Sequence, residues 1–372
     1  MKEKAKHRAE RGKRQTIAAA PLAAKKERIP YIDFMKGLCI IFIVTNHING
    51  NFMPLDLNRS LMSFRIPMYY FLSGLFFKLY DGFGDFTRHK VNNIVIPLLF
   101  FYFLAVAWAF FFKVWPFQLE ATVRFDAGRI MDIFTDPRFH GTGNWYYNAV
   151  LWFLMSLFWV NIIYYALQKW LKGWWLIAAV VAIAAVGYYL GVNKIKLPYM
   201  LDTSLVALPF FMLGSLVKQH GYLKANKHDK WGFAVLAVVG VCVYLWAHYV
   251  QQSIDLFQQM LPDWWWLYLV PFCSILALFW ASKNLPRVPV ICYIGRYSII
   301  VLGTHYFLLR PIGFVLLYGW YRVMPEGMPL YKIEWWWMTL IVVLLVELGV
   351  IWVMIRVFPH LTAQKELIRK RG

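Results

Sequence analysis

Ten runs of about twenty apolar residues, each bounded by charge or by Pro and Gly, succeed one another from residue 32 to residue 358. A bilayer core of roughly 30 Å is crossed by about 20 helical residues, so runs of this length are membrane spans. They fall at 32–50, 61–79, 94–113, 147–167, 174–191, 199–217, 231–250, 264–282, 297–319 and 336–358. They are continuous, without the alternation of a lipid-facing strand, which excludes a transmembrane barrel. A hydrophobic content of 60% and an aromatic content of 19% exceed those of an ordinary soluble domain. The expected fold is an all-α integral membrane protein of about ten transmembrane helices. It divides into a basic arm (1–30), a membrane domain (31–360) and a short basic tail (361–372).

Orientation follows from the basic residues, because short loops rich in Lys and Arg stay on the cytoplasmic side. The arm carries ten of them from Lys2 to Arg28, against Glu3, Glu10 and Glu27. On the same side fall Lys78, Arg88, Lys90, Lys169, Lys172, Lys218, Lys224, Lys227, Lys230, Lys283, Arg287 and the tail. The opposite loops are mixed or poor in positive charge: "QQSIDLFQQMLPD" has none. Both termini are thus expected in the cytoplasm. The net charge of +20 reads as a topology signal with attraction to anionic lipid. With no recognition module beside it, nucleic acid is not the expected partner. Four cysteines lie in or beside the spans without metal-ligand spacing, so no disulfide and no metal is assigned.

Aromatic clusters mark the span ends. "NWYYNAVLWFL", "DWWWLYLV" and "EWWWMTL" open helices on the outer side and "KGWWLI" one on the inner side. Trp and Tyr prefer headgroup depth, where an apolar ring and a polar tip are both satisfied. The same rings, Trp145 and Trp152 among them, have the faces to stack on sugars, and the sequence does not separate the two roles.

A charged group at the centre of a membrane helix costs about 2.5 to 3.5 kcal/mol on insertion scales and asks for a reason. The candidates are Asp33, Lys36 and His47 on helix 1, Arg65 on helix 2, His248, His305 and Glu347. Lys36 and His47 share a face but stand about 16 Å apart along the axis, since each residue rises about 1.5 Å. One polar stripe therefore runs from the cytoplasmic mouth toward the outer half. Arg65, a few residues into helix 2, reaches a depth similar to His47 on an antiparallel neighbour.

The segments "YIDFMKGLCIIFIVTNHI", "FRIPMYYFLSGLFFK", "KVNNIVIPLLFFYFL", "LWFLMSLFWV", "LPFFMLGSLV" and "YIGRYSIIVLGTHYFLL", in this order and spacing, resemble the membrane-bound acyltransferase 3 family of bacterial glycan O-acyltransferases. The resemblance implies ten helices in the bacterial inner membrane. It implies transfer of an acyl group, usually acetyl, from cytoplasmic acyl-CoA, a donor substrate rather than a bound cofactor. The acceptor is a hydroxyl on lipopolysaccharide, exopolysaccharide, capsule or periplasmic glucan. With the chain closing soon after helix 10, a member without the fused extracytoplasmic hydrolase-like domain is expected. The family's essential histidine falls on His47, its Ser-Gly pair on Ser73 and Gly74, and a common later histidine on His305. Many members carry Arg-x-x-Arg before helix 3. Lys90 and Asn93 stand there instead, and a lysine is a point charge without the planar fork that grips phosphate through two bonds.

The chemistry fits the residue types. A sugar hydroxyl attacks a thioester when a base removes its proton as the bond forms, and imidazole titrates near working pH. His47 is the candidate base; alternatively it takes the acyl group itself and passes it on. Arg65 and Ser73 are candidate donors to the oxyanion. Asp33, Lys36, Arg88 and Lys90 are candidates for holding acyl-CoA, and Trp145, Trp152 and His305 for the carbohydrate. The rival class is a transporter, such as a polysaccharide flippase or exporter, which would also carry intramembrane charge.

Overall fold

The computed structural model describes residues 28–49, 54–114, 125–135, 147–223, 231–285, 287–321 and 336–369. The chain divides into an N-terminal unit, Met1–Pro30, and a second unit, Tyr31–Gly372. Among the described residues the regular structure is helical, apart from one isolated antiparallel bridge, Asp255 to Met260. The long helices are α1 (Pro30–Asn49), α2 (Leu55–Gly74), α4 (Ile96–Val114), α5 (Trp152–Trp170), α6 (Trp174–Val192), α7 (Leu201–Gln219), α8 (Trp231–Val250), α9 (Trp264–Ser282), α11 (Ser298–Tyr321) and α12 (Trp336–Val357). Two short helices, α3 (Phe83–Lys90) and α10 (Pro289–Arg296), precede α4 and α11. Eight described helices are long and apolar enough to cross a membrane, or nine if α10 and the described part of α11 form one bent span. The protein is an all-α, multi-pass membrane protein.

One expected span shifts at its ends, and another, which coincides with α11, has a short helix before it. Where the second is expected, at 61–79, stands α2, which begins at Leu55, ends at Gly74 and is not among the helices apolar enough to cross. Its first turns carry Asp56, Asn58, Arg59 and Ser60, so an apolar run starts later than the helix does. Ser60 donates to Asp56 O (2.6 Å), Ser63 to Ser60 O (2.7 Å), and Arg59 faces the carboxylate of Asp56 (3.5 Å). The ninth, expected at 297–319, is preceded by α10, which meets α11 at an 88° bend. The bend falls in the sequence Gly-Arg-Tyr-Ser. The other expected spans coincide with helices apart from their ends.

Between α3 and α4 the chain makes one π-helical turn, Val91–Val95. Pro97 explains it. Proline has no N–H to give the carbonyl four residues back, and its ring crowds that carbonyl, so the preceding turn widens.

Close packing rests on glycines. A Cβ on Gly74 would overlap the carbonyl oxygen of Phe211, and one on Gly214 would overlap that of Phe71, so α2 and α7 cross backbone against backbone. Gly37 of α1 meets the carbonyl of Ile291, and Gly295 meets that of Asp33, which seats α10 on α1. Small residues allow this approach where lipid offers no hydrophobic drive between helices. Around the α2–α7 crossing, Tyr70 donates to Ser156 Oγ on α5 (2.8 Å), and Ser156 and Ser204 of α7 share a hydrogen bond (3.0 Å). Helices α8 and α12 expose most of their surface, with Val238, Val241, Leu345 and Trp352 outward, as lipid-facing walls do.

The basic residues gather at one end. Tyr31 donates to Leu223 O (2.6 Å), Lys218 to Phe77 O (2.7 Å) and Lys283 to Tyr222 O (2.6 Å). The segment after α12 returns to the same end. There Arg88 bonds Glu366 (2.6 Å), and Asn92 accepts from Leu367 N and Ile368 N (2.9 Å each) while donating to Ile368 O (2.9 Å).

Gly214→Ala is expected to destabilise the detergent-solubilised protein by about 1–3 kcal/mol through overpacking. Gly240→Ala, at a site with open space around it, leaves stability unchanged or slightly raised. Thermal unfolding of the two variants side by side checks this.

A candidate active site around His47

His47 lies in the last turn of α1, on the end of that helix away from the basic cluster. Its ring faces His305 of α11, with centroids 5.3 Å apart and planes at 45°. The edge of Tyr306 approaches it at 5.6 Å and 84°. Arg65 of α2 is within electrostatic reach of His47 and of Asp255. It is 8% exposed, and α2 places it about 15 Å from the helix start, ten residues in at 1.5 Å each. A helix starting at 61 would carry Arg65 about four residues in; α2 starts earlier, at Leu55.

His305 has no exposed surface. Its Nδ1 lies 2.7 Å from the carbonyl oxygen of Val301, one turn back. A carbonyl only accepts, so Nδ1 carries the proton and Nε2 the lone pair. The buried Nε2 has no hydrogen-bond partner. Next to it, Thr304 Oγ1 sits 2.9 and 2.8 Å from the two carboxyl oxygens of buried Glu347 on α12. Asn148, fully buried ahead of α5, donates to Gly303 O (2.8 Å). α11 is thus held on two sides where it presents His305.

Ser73 is not beside His47. The hydroxyl of Tyr69, one turn before it, donates to Lys36 O (2.8 Å), so this part of α2 is level with the Lys36 end of α1. That end is about 16 Å from His47 by helical rise. Ser73 instead adjoins Gly74, where α2 crosses α7.

The candidates for holding acyl-CoA are together at the basic end. The carboxylate of Asp33 faces Arg296 (Oδ2 to Nε 4.0 Å), and Lys36 Nζ lies over the ring of Phe76 at 4.7 Å. Lys90 Nζ lies 5.3 Å over Phe86, within electrostatic reach of Lys218. Arg88 is occupied by Asp85 (2.7 Å), Glu366 (2.6 Å) and Ile368 O (3.1 Å). Arg296 and Lys218 were not singled out in the sequence argument. Arg296 had a signal, the Gly-Arg-Tyr-Ser stretch; Lys218 had only its place in a basic loop.

At the other end, Trp152 is buried and stacks on Phe257 (5.3 Å, 27°). It belongs to the protein's interior, unlike the exposed Trp170, Trp174, Trp175 and Trp265. Trp145 lies outside the described residues. The loop bearing Phe257 is fixed by Thr203 to Leu256 O (3.2 Å), by Lys194 to Gln259 O (2.9 Å) and by a Gln259 to Asp202 hydrogen bond. Burial holds Lys196 in this region below the usual lysine range against the opposing pull of Asp202; Lys194 adds to the fall and Asp255 offsets it. No group of three or more His, Cys, Asp or Glu that could hold a metal occurs among the described residues.

A helical membrane bundle enclosing an imidazole pair, with cations collected at one end, defines the class as a multi-pass membrane protein with a buried polar centre. A family model described as an acyltransferase domain matches residues 29–367, and the chain belongs to the membrane-bound acyltransferase 3 family. No curated protein and no solved structure matches it. Acyl transfer is the activity of that family.

Asn92→Ala removes the partner of two backbone N–H groups and one carbonyl in the segment after α12. Limited trypsin digestion of membranes is expected to cut at Lys365 about tenfold faster in the variant, since local opening governs such cleavage.

Proposed function

We propose that this protein transfers an acyl group, most simply acetyl, from acyl-CoA to a hydroxyl of a cell-envelope or exported carbohydrate. The bilayer is the bacterial inner membrane, crossed ten times with α2 counted as a span, and both termini lie in the cytoplasm with the basic end. The observation that carries the reading is the setting of His47. It is an imidazole held between the rings of α11 and the cation of Arg65, one helix length from the cluster of Lys36, Lys90, Lys218 and Arg296.

In this reading the CoA phosphates meet the ammonium groups of Lys90 and Lys36, with Lys218 adding charge. Arg88 contributes when it exchanges Glu366 for phosphate, and Asp33 orients Arg296. The thioester reaches toward His47. His47 removes the hydroxyl proton as the new C–O bond forms; in the two-step route it first takes the acyl group itself. Arg65 supplies a donor to the tetrahedral oxyanion in a site shielded from water, where such a bond counts most. Ser73 serves the helix crossing. The carbohydrate enters from the end bearing Trp152 and Phe257.

The test uses radiolabelled acetyl-CoA and membrane vesicles, scoring label in envelope glycans at matched protein abundance. His47→Ala is expected to lower transfer by about a hundredfold or more, the scale of a lost general base. Equal label in both proteins would remove His47 from the chemistry. Lys90→Ala is expected to raise KM for acetyl-CoA about tenfold with kcat little changed, the signature of lost uniform binding. The 88° break between α10 and α11 is also a feature of carriers. Glycan movement without CoA release would establish that alternative.

A further inference from the structure

A base works best when a third group fixes which of its nitrogens holds the lone pair, and within the reach of His47 the structure offers such a group. His305 is fully buried, its Nδ1–H is committed to Val301 O, and its Nε2 is a lone pair with no partner. Two imidazoles joined by an N–H···N bond of about 2.9 Å, pointing vertex to vertex, have centroids roughly 5.2 Å apart. The His47 and His305 centroids are 5.3 Å apart. Rotation of the His47 ring about its own axis barely moves the centroid, so the separation already suits a direct bond. A buried acceptor left unmatched is costly and rare, which marks Nε2 as awaiting a donor.

We propose that His305 is a positioning residue that accepts a hydrogen bond from the N–H of His47, fixing the tautomer in which the other nitrogen of His47 faces the reacting groups. This rests on the acyl-transfer reading above and deepens it. The hydroxyl proton passes to the free nitrogen of His47 as the C–O bond forms and the C–S bond breaks. The departing thiolate sulfur then takes that proton from His47, giving free CoA thiol and the ester, and no proton remains on His305. In the two-step route the same nitrogen carries the acyl group and the N–H still points at His305. The groups facing the pair are Arg65 from α2 and Tyr306 from α11, with Thr304 and Glu347 behind His305. Arg65 disfavours a second positive charge here, and the only lone pair His305 presents to its neighbour is a neutral acceptor.

The experiment measures acetyl transfer in membrane vesicles for the intact protein, His305→Phe and His305→Gln at matched abundance. It also records the rate against deuterium fraction in the solvent. Phe keeps a ring but loses the acceptor: kcat is expected to fall about thirtyfold with KM for acetyl-CoA within about twofold. Gln, whose Oε1 accepts, is expected to recover about tenfold of that loss. In the intact protein two protons are shared in the transition state, so the plot against deuterium fraction bows; in His305→Phe it is straight. A Phe variant within about threefold of the intact protein, or equal losses in Phe and Gln, overturns the inference. If the Phe variant fails to reach the membrane, the plot for the intact protein decides: a straight line overturns the proposal and a bowed one supports it. Absence of label from the intact protein overturns the acyl-transfer reading, and this inference with it.

Discussion

A helix bearing Asp56, Arg59 and Arg65 fits inside a membrane bundle only if other helices take the place of lipid around it, because hydrocarbon offers nothing to solvate a charge or a hydroxyl. The arrangement of the bundle follows from that. α2 lies against α7 so closely that glycine is needed on both sides, at Gly74 and Gly214, and against α8 and α9 on its other flanks. At its start, Asp56 meets His248 (2.8 Å) from the end of α8. Once α2 is enclosed, Arg65 is held at the depth of His47, and the outward faces of α8 and α12 are left apolar between the exposed His248 and Arg356 at their ends. The polar centre and the lipid-facing walls are two results of one requirement.

The pattern of apolar runs made the helices readable, since lipid-facing helices must be apolar along their length. The same rule made α2 hard to place, because an enclosed helix is excused from it: Asp56, Asn58 and Arg59 pushed its apparent start beyond its real one. The bend before α11 was hidden for another reason. Gly295 and Arg296 sit in a short amphipathic piece whose place is set by contact with Gly37 and Asp33, some 260 residues away in sequence, and hydropathy carries no such information.

His47, Arg65 and His305 were legible one by one as polar residues in apolar surroundings, and their convergence needed three dimensions. Residues linked by a short motif do not all serve one purpose. Ser73 and Gly74 adjoin each other in sequence, yet they stand about three helical turns from His47, and Gly74 seats α2 on α7. The signature glycines pair off in space, Gly37 with Gly295 and Gly74 with Gly214, so that much of the recognisable pattern records how helices meet. Lys218 joins the basic cluster because α7 ends beside Phe77 and the end of α3, which no local pattern announces.

The hydrogen bonds between Asn92 and residues 367 and 368 join positions some 276 residues apart. A membrane protein enters the bilayer in the order in which it is made. Asn92 is made before α4 and every later helix, whereas its partners follow α12, so all of those helices are synthesised between them. The turn that opens α4 is therefore closed only after α12 has been made, so the basic end of the bundle is joined up across helices that enter the membrane one after another.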